Sequence, residues 1–518
     1  MDHAPLVLIV GLASTTPALQ TAGSYTVFRS EYEPRSPEST VVHQVIAEHL
    51  ETFLEAAQNR DGSGVPSFVE TAFRKVLDCG CPARGFARLR CDSCGFERLL
   101  PYSCKQSGGL CSSCSGRRMA ELSAHLVDHV FPAVPTRQWV LTLPFSLRYK
   151  LAWNHELTKS VLSEFYKVIA EFYCEKAEAQ GVADGRTGAV TAIQRVGSAI
   201  NLNVHYHSEF IDGAFARGDD GALHFHPLDR LTDDDVAELV TKVRARILRL
   251  LHKDGVFDDG QFSFAFDELG DESASLSGMY GASVQGRVSM GDRAGLRVRR
   301  IGSDPNSPWI ESSARLQARV DGFDLHAGVW VGTTDRKRLE NVCRYLLRPP
   351  VPESRLELRE DGNVVLELKN EYSDGTTHLL YNGLEFLEKL ATLVTRPRIK
   401  QLIYHGVFAP NAAWRQEVVT YGRKNDGTID ELKLLAHADG SGHKFSWRDL
   451  LKRVFLIEAL SCPHCGSQMR VVANIDDPAV IQRILNHLGL PTTTPSTRPS
   501  KVADDFFDPL DELYPIDA

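Results

Sequence analysis

The stretch Thr191–Gly213, TAIQRVGSAINLNVHYHSEFIDG, decides how the rest of the chain is read. Two β-prone runs, Ala189–Arg195 and Leu202–Ile211, flank a short turn at Gly197-Ser198, which predicts a hairpin. Strand side chains alternate between faces, so His205, His207 and Glu209 share one face of the second run. Folding about Ser198–Ile200 sets Gln194 opposite His205, within side-chain reach. Two imidazoles with a nearby amide or carboxylate can hold a divalent cation and leave coordination positions open. A polar strand face with two partly exposed histidines fits the same spacing, and His-x-His alone does not choose.

Outward from the hairpin, Arg137–Pro144 (RQWVLTLP) is an apolar, β-prone run ended by proline and predicts a buried strand. Leu151–Glu178 predicts a long helix, with Leu157, Val161, Leu162, Phe165, Val168, Ile169 and Phe172 as its core face. Residues 214–300 read as an insertion, with a helix over Thr232–Leu251 and a Gly/Ser/Asp-rich loop over Gly270–Gly286. Val320–Val331 resumes a strand. Thr334–Leu347 (TDRKRLENVCRYLL) is a helix stopped by Pro349-Pro350. At 100° per residue Leu339, Val342, Cys343 and Leu346 face the core, while Arg338, Asn341, Tyr345 and Arg348 face away. Tyr345 between cationic neighbours fits either a tyrosine with a wet hydroxyl or a nucleophile beside guanidinium groups that favour phenolate and phosphate. The alternation of elements is α+β, an antiparallel sheet with flanking helices.

Charge is uneven. The chain of 518 residues carries −9 overall, yet Cys79–Arg118 holds seven Arg and Lys against two acids. A local basic face governs phosphate contact more than the total does. Seven of the eleven cysteines lie in this block, and CxxC spacing there reads as metal binding in a reducing compartment rather than disulfides. Cys91-x2-Cys94 and Cys111-x2-Cys114, 16 residues apart, fit two knuckles closing on one tetrahedral zinc. Cys79, Cys81 and Cys104 are spare: they exchange with those four or build a second site. Arg117 and Arg118 end the block as candidate DNA contacts. Cys462-x2-Cys465 is a lone knuckle, half a site whose partners must come from elsewhere in the fold.

The expected partition is a disordered tail over 1–36, a helical segment over 37–78, a zinc-binding domain over 79–125 and a nuclease-like domain over 133–350. An accessory region follows over 351–460, then the knuckle segment 461–489 and an acidic disordered tail over 490–518. The accessory region includes the basic, aromatic stretch Arg396–Arg415 and an amphipathic helix over Phe445–Leu460. No apolar window reaches membrane length, and Pro5–Ala13 is short with no basic leader, so a cytoplasmic, bacterial protein is expected.

Taken together and in order, the motifs resemble the transposases of the insertion sequence 91 family, HUH-type enzymes that move DNA by rolling circle. The resemblance runs from about Tyr32 to Leu490. It rests on EYEPRSPESTVVHQV, the block ending CSSCSGRR, RQWVLTLPFSLRY, QRVGSAINLNVHYHSEFIDG, GFDLHAG, CRYLLRPP, YHGVFAPNAAWR and LSCPHCGSQMR. It implies an HUH endonuclease-like sheet, with His205 and His207 as ligands of a catalytic Mg²⁺ or Mn²⁺ and Tyr345 as nucleophile. It also implies attack on single-stranded DNA at transposon ends and target, a 5′-phosphotyrosine, and structural zinc. Gln194 is the candidate third ligand, with Glu209 and His326 as rivals. Arg344 and Arg348, beside Tyr345, join Arg117 and Arg118 as candidate DNA contacts. Founding members carry a second tyrosine four residues before the nucleophile. Asn341 stands there, as in the single-tyrosine relatives, and Glu209 replaces an aliphatic residue. The rival readings are a replication initiator or relaxase of the same chemistry, and a zinc-dependent DNA-binding protein with a dead nuclease site. No HExxH motif supports a metalloprotease.

Overall fold

The computed structural model describes residues 37–105, 109–258, 261–262, 268–304, 314–423 and 460–501, and the fold is that of these residues. The chain enters through helices α1 (Val41–Asp61) and α2 (Ser67–Asp78). The Thr40 side chain accepts from the His43 amide to start α1. Gly62, at φ 72°, ends it in the left-handed conformation that a side chain resists. Val42, Val45, Ile46, Leu50 and Phe53 are buried along α1, the apolar spacing seen in the sequence. A hairpin of β1 (Phe86–Cys91) and β2 (Glu97–Pro101) follows, then α3 (Ser112–His125).

The centre is a six-stranded antiparallel sheet. It contains β3 (Thr136–Thr142), β4 (Gly188–Val196), β5 (Leu202–Ile211), β6 (Gln317–Val320), β7 (Phe323–Val331) and β8 (Leu402–Gly406), in the order β6-β7-β3-β5-β4-β8. The histidine strand β5 therefore lies between β3 and β4, as the hairpin reading requires. At Gly197, in the β4–β5 turn, a Cβ would sit 2.3 Å from Asn201 Oδ1, so a larger residue there would displace the Asn201 side chain.

Alternation along β5 feeds two cores. Tyr206 and Phe210 face α4 (His155–Ala179), where Tyr206 stacks on Phe165 and donates its hydroxyl to the Thr158 carbonyl. Behind this face lies α5 (Asp233–Lys253), started by a Thr232–Asp235 capping box. Ile211, Val190 and Val331 face the other way. They pack with Leu339, Val342 and Cys343 of α7 (Arg336–Leu346) and with Leu126, Val130 and Phe131 beyond α3. Asp335 caps α7 by accepting from Arg338 N, a contact typically worth about 1 kcal/mol. At the sheet centre Arg137 makes paired hydrogen bonds to Asp212, which also accepts from Tyr173. This buried pair ties β3 and the end of β5 to α4.

The structure departs from the sequence reading at several places. Gly270–Gly286, expected as a loop, is helical over Glu268–Glu272 and in α6 (Ala274–Val284). Ser273 caps α6, and Leu276, Met279 and Tyr280 bury its apolar side against α1 and α8 (Gly383–Leu393). At Gly278 a Cβ would lie 3.1 Å from the Arg60 guanidinium. The strand expected over 320–331 is present as β7 from Phe323, and it is preceded by β6, the two forming a hairpin turned at Asp321 (φ 45°) and Gly322 (φ 82°). The long helix breaks at Asn154, whose side chain accepts from Leu157 N and restarts it as α4. Arg396–Arg415 supplies the edge strand β8. Its His405 stacks on Tyr166. Residues 490–501, expected as part of a tail, lie along α1, with Arg498 and Lys501 on Glu48 and Thr497 on Glu51. The expected helix Phe445–Leu460 lies outside the described residues, except for Leu460, as do the tails 1–36 and 502–518.

Segment 461–489, read as half a site that needs partners from elsewhere in the fold, joins the N-terminal module. Its strand β9 (Met469–Ile475) pairs antiparallel with β1, and its helix α9 (Pro478–His487) packs Ile481 and Leu485 on Phe86 and Leu99. The N-terminal sheet is thus completed from the other end of the described chain.

Candidate active site and cysteine centres

On β5, His205 and His207 project to the α7 side of the sheet with ring centroids 4.9 Å apart. The register places Gln194 opposite His205 on one side and Thr142 on the other. The Asn203 carbonyl, 2.8 Å from His205 Nδ1, can only accept, so in the neutral ring the proton sits on Nδ1 and Nε2 keeps its lone pair. His207 Nδ1 is buried and makes no hydrogen bond within the protein. Burial holds His205 down to about 4 and His207 well below the usual histidine range, with Arg348 adding to both shifts. Both rings are therefore neutral near pH 7 and able to donate lone pairs.

Helix α7 lies over this pair. The Tyr345 ring stands 5.7 Å from the His207 ring at 76°, and Tyr345 is 39% exposed although its helix neighbours Leu346 and Cys343 are buried. Two cations sit on the phenol: Arg348 with its guanidinium carbon 4.6 Å from the ring centroid, and Lys369 with its ammonium at 5.0 Å. Lys369 escaped the sequence reading because nothing local in ELKNEYSDG marks it. Only the fold brings the end of Val364–Glu367 beside α7. Arg344, by contrast, bonds Glu340 one turn back at 2.5 Å.

The candidates for a third ligand separate. Gln194 reaches α7: its amide nitrogen donates to the carbonyls of Leu346 at 2.7 Å and Tyr345 at 3.3 Å, while its amide oxygen is the atom a metal would take. Glu209 is fully buried beside Thr136 and the Asp212–Arg137 pair, and burial pushes its carboxyl up to about 8. His326 stands opposite Val140, which is itself opposite His207, so one strand separates the two histidines. No third His, Cys, Asp or Glu among the described residues forms a metal-type cluster with His205 and His207. Two neutral imidazoles, one with its proton fixed away and one with a buried unpaired nitrogen, fit a divalent ion completed by solvent and phosphate oxygens.

The cysteines assemble differently from the expected single knuckle pair. Cys111 and Cys114 do not share a site with Cys91 and Cys94. One group is Cys79, Cys104, Cys111 and Cys114; the other is Cys91, Cys94, Cys462 and Cys465. Spacing could not decide this: Cys91-x2-Cys94 meets a second knuckle far along the chain, and Cys111-x2-Cys114 is completed by Cys79 and Cys104, which form no CxxC turn. Cys81 joins neither group. In the first, Cys79 lies 3.5 Å from Cys114 and 3.6 Å from Cys111, and Cys104 lies 3.4 Å from Cys114. Four sulfurs about 2.3 Å from a tetrahedral zinc would stand about 3.8 Å apart, so the spacing fits. A disulfide, at about 2.0 Å, is excluded. From this centre α3 runs with Arg117 and Arg118 exposed, and it packs against α7.

Comparison with known families agrees with this layout. Residues 45–143 match a family described as "Transposase zinc-binding domain", and residues 188–416 match one described as "Putative transposase". No curated protein and no solved structure matches the chain. A zinc-bearing module joined to a matched transposase sheet defines a DNA transposase, an enzyme that cleaves DNA and transfers strands, with structural zinc and DNA as its partner. More narrowly, the chain belongs to the insertion sequence 91 family of transposases. No helix among the described residues is long and apolar enough to cross a membrane.

Proposed function

We propose that this transposase is a single-tyrosine enzyme of the HUH type, which nicks and rejoins single-stranded DNA through a 5′-phosphotyrosine during rolling-circle transposition. The observation that carries the reading is the exposed Tyr345 ring 5.7 Å from His207, over two buried, neutral imidazoles. His205 and His207 would hold a divalent ion, Mg²⁺ or Mn²⁺, which when bound supplies Lewis-acid polarisation of the scissile phosphate.

The chain's own residues account for the rest. Tyr345 Oη attacks phosphorus: the Oη–P bond forms and the P–O3′ bond breaks. The phenol gives up one proton and the departing 3′ oxygen takes one. Phosphodiester bond energy is retained, so reversal joins strands without ATP. Arg348 and Lys369 flank the phenol and attract the phosphate backbone. Gln194 fixes the last turn of α7 by its two bonds to carbonyls there. Arg117 and Arg118, on a helix that starts at the zinc ligands and packs against α7, would hold DNA beside the point of cleavage. One tyrosine suffices at each strand transfer, since Asn341 occupies the position of a second nucleophile.

The test is incubation with labelled single-stranded DNA carrying the element end, in Mn²⁺, followed by denaturing electrophoresis and mass spectrometry. A covalent adduct on the peptide containing Tyr345 is expected. Tyr345→Phe should abolish it while leaving oligonucleotide affinity within about twofold, since the ring and its cations remain. An adduct that survives in Tyr345→Phe removes the nucleophile assignment. Binding without any cleavage by the wild type would favour a DNA-binding protein with an inactive site.

A further inference from the structure

Half of the second cysteine centre comes from beyond the matched zinc-binding domain, which ends at residue 143. We propose that Cys91, Cys94, Cys462 and Cys465 bind a second zinc ion, and that this ion clasps the 460–490 segment to the N-terminal module.

The two contributing turns have the same build. In Cys91-x2-Cys94-Gly95, the Gly95 amide donates to the Cys91 carbonyl at 2.9 Å and the Cys91 amide donates to Phe96 at 2.8 Å. In Cys462-x2-Cys465-Gly466, the Gly466 amide donates to Cys462 at 2.8 Å and the Cys462 amide donates to Ser467 at 2.8 Å. Both glycines are left-handed, at φ 74° and 73°. Each turn therefore presents two sulfurs outward, and the two face each other: Cys91 to Cys465 and Cys94 to Cys462 are both 3.5 Å apart, with all four sulfurs within 4.8 Å. The His464 ring sits 4.5 Å from Phe96, so each knuckle also packs on the other. Four sulfurs brought this close as thiolates repel one another, and a dication offsets that repulsion.

The surrounding apolar support is slight. Leu89, Cys91, Phe96, Cys462 and Met469 form one small cluster, and Phe86, Leu99, Ile481 and Leu485 another. Small modules with so little core depend on a metal for their order. The ligands also interleave, because Cys91 and Cys94 lie in the chain between Cys79 and Cys104 of the first centre. Each ion thus braces the loops that carry the other. The centres differ in exposure: Cys94 and Cys465 are exposed, whereas every ligand of the first centre is buried or half-buried. The second ion is therefore the first to leave under a chelator.

Elemental analysis of the full chain should give two zinc ions per molecule, and Cys462→Ser/Cys465→Ser should give one. Cobalt substitution should show thiolate charge-transfer absorption saturating at two equivalents in the wild type and at one in the variant. Hydrogen exchange in the double variant should rise at least tenfold in Met469–Ile475, with the Leu202–Ile211 peptide unchanged. Because the variant could misfold, the wild type is also titrated with chelator: release of the first equivalent should expose Met469–Ile475 while α3 stays protected. One zinc in the wild type, or two in the double variant, overturns the site. Unchanged protection in Met469–Ile475 after the first ion has left overturns the clasp.

Discussion

Gln194 separates two ways of wiring the nuclease site. Its place opposite His205 makes it a candidate ligand through its amide oxygen, and its amide nitrogen donates to the Tyr345 and Leu346 carbonyls. A ligand and a tether respond differently to removal. Gln194→Ala should lower the rate of adduct formation about fivefold, the equivalent of about 1 kcal/mol for one lost hydrogen bond in the productive geometry. The Mn²⁺ concentration giving half-maximal cleavage should stay within twofold of wild type. A rise of tenfold or more in that concentration would place Gln194 in the coordination sphere. The same residue shows where sequence reading stops. Period-two alternation gave its position and its partner across the hairpin, but the direction of its side chain depends on a helix 150 residues further on.

Among the elements, α3 joins the first cysteine centre to the helix carrying Tyr345, and its two exposed arginines are the contacts proposed for the DNA backbone. Their contribution should be sequence-independent. Arg117→Ala/Arg118→Ala should weaken binding of unrelated oligonucleotides to similar degrees. It should also flatten the slope of log affinity against log salt by about 1.4, for two lost contacts on a single strand. An unchanged slope in a salt titration would place the DNA elsewhere. Elements of this kind were well marked in the sequence. The apolar face of α7 (Leu339, Val342, Cys343, Leu346) and the run of β5 have strong periods, and both appear with nearly the expected bounds. The cysteine pairing was not marked. A CxxC turn has the same local chemistry whichever knuckle faces it, and the partners of Cys91 and Cys94 lie more than 360 residues away, at Cys462 and Cys465. Helix α6 was hidden for another reason: its small residues resemble a loop by composition, and only close packing against α1 and α8 favours the helix.

At the scale of the whole molecule, burial lowers the pKa of four imidazoles of the central sheet: His205, His207, His326 and His405. His405 lies apart from the proposed metal site, on the edge strand β8, with its ring stacked 4.5 Å from Tyr166 and Nε2 buried without a partner. Burial alone holds it down to about 4. In the unfolded chain the same group titrates near 6.5, so between these values unfolding takes up a proton. Stability is therefore undiminished above pH 6.5, falls as pH drops through the window, and loses nothing further from this group below 4. His405→Phe keeps the stack and removes the proton. Zinc release in acid affects both chains alike, so the difference between them isolates His405. In urea unfolding, the stability of His405→Phe relative to wild type should rise by about 2 kcal/mol between pH 7.5 and pH 5. Parallel stability curves over that range would mean that the edge strand opens readily enough for His405 to be charged in the folded protein.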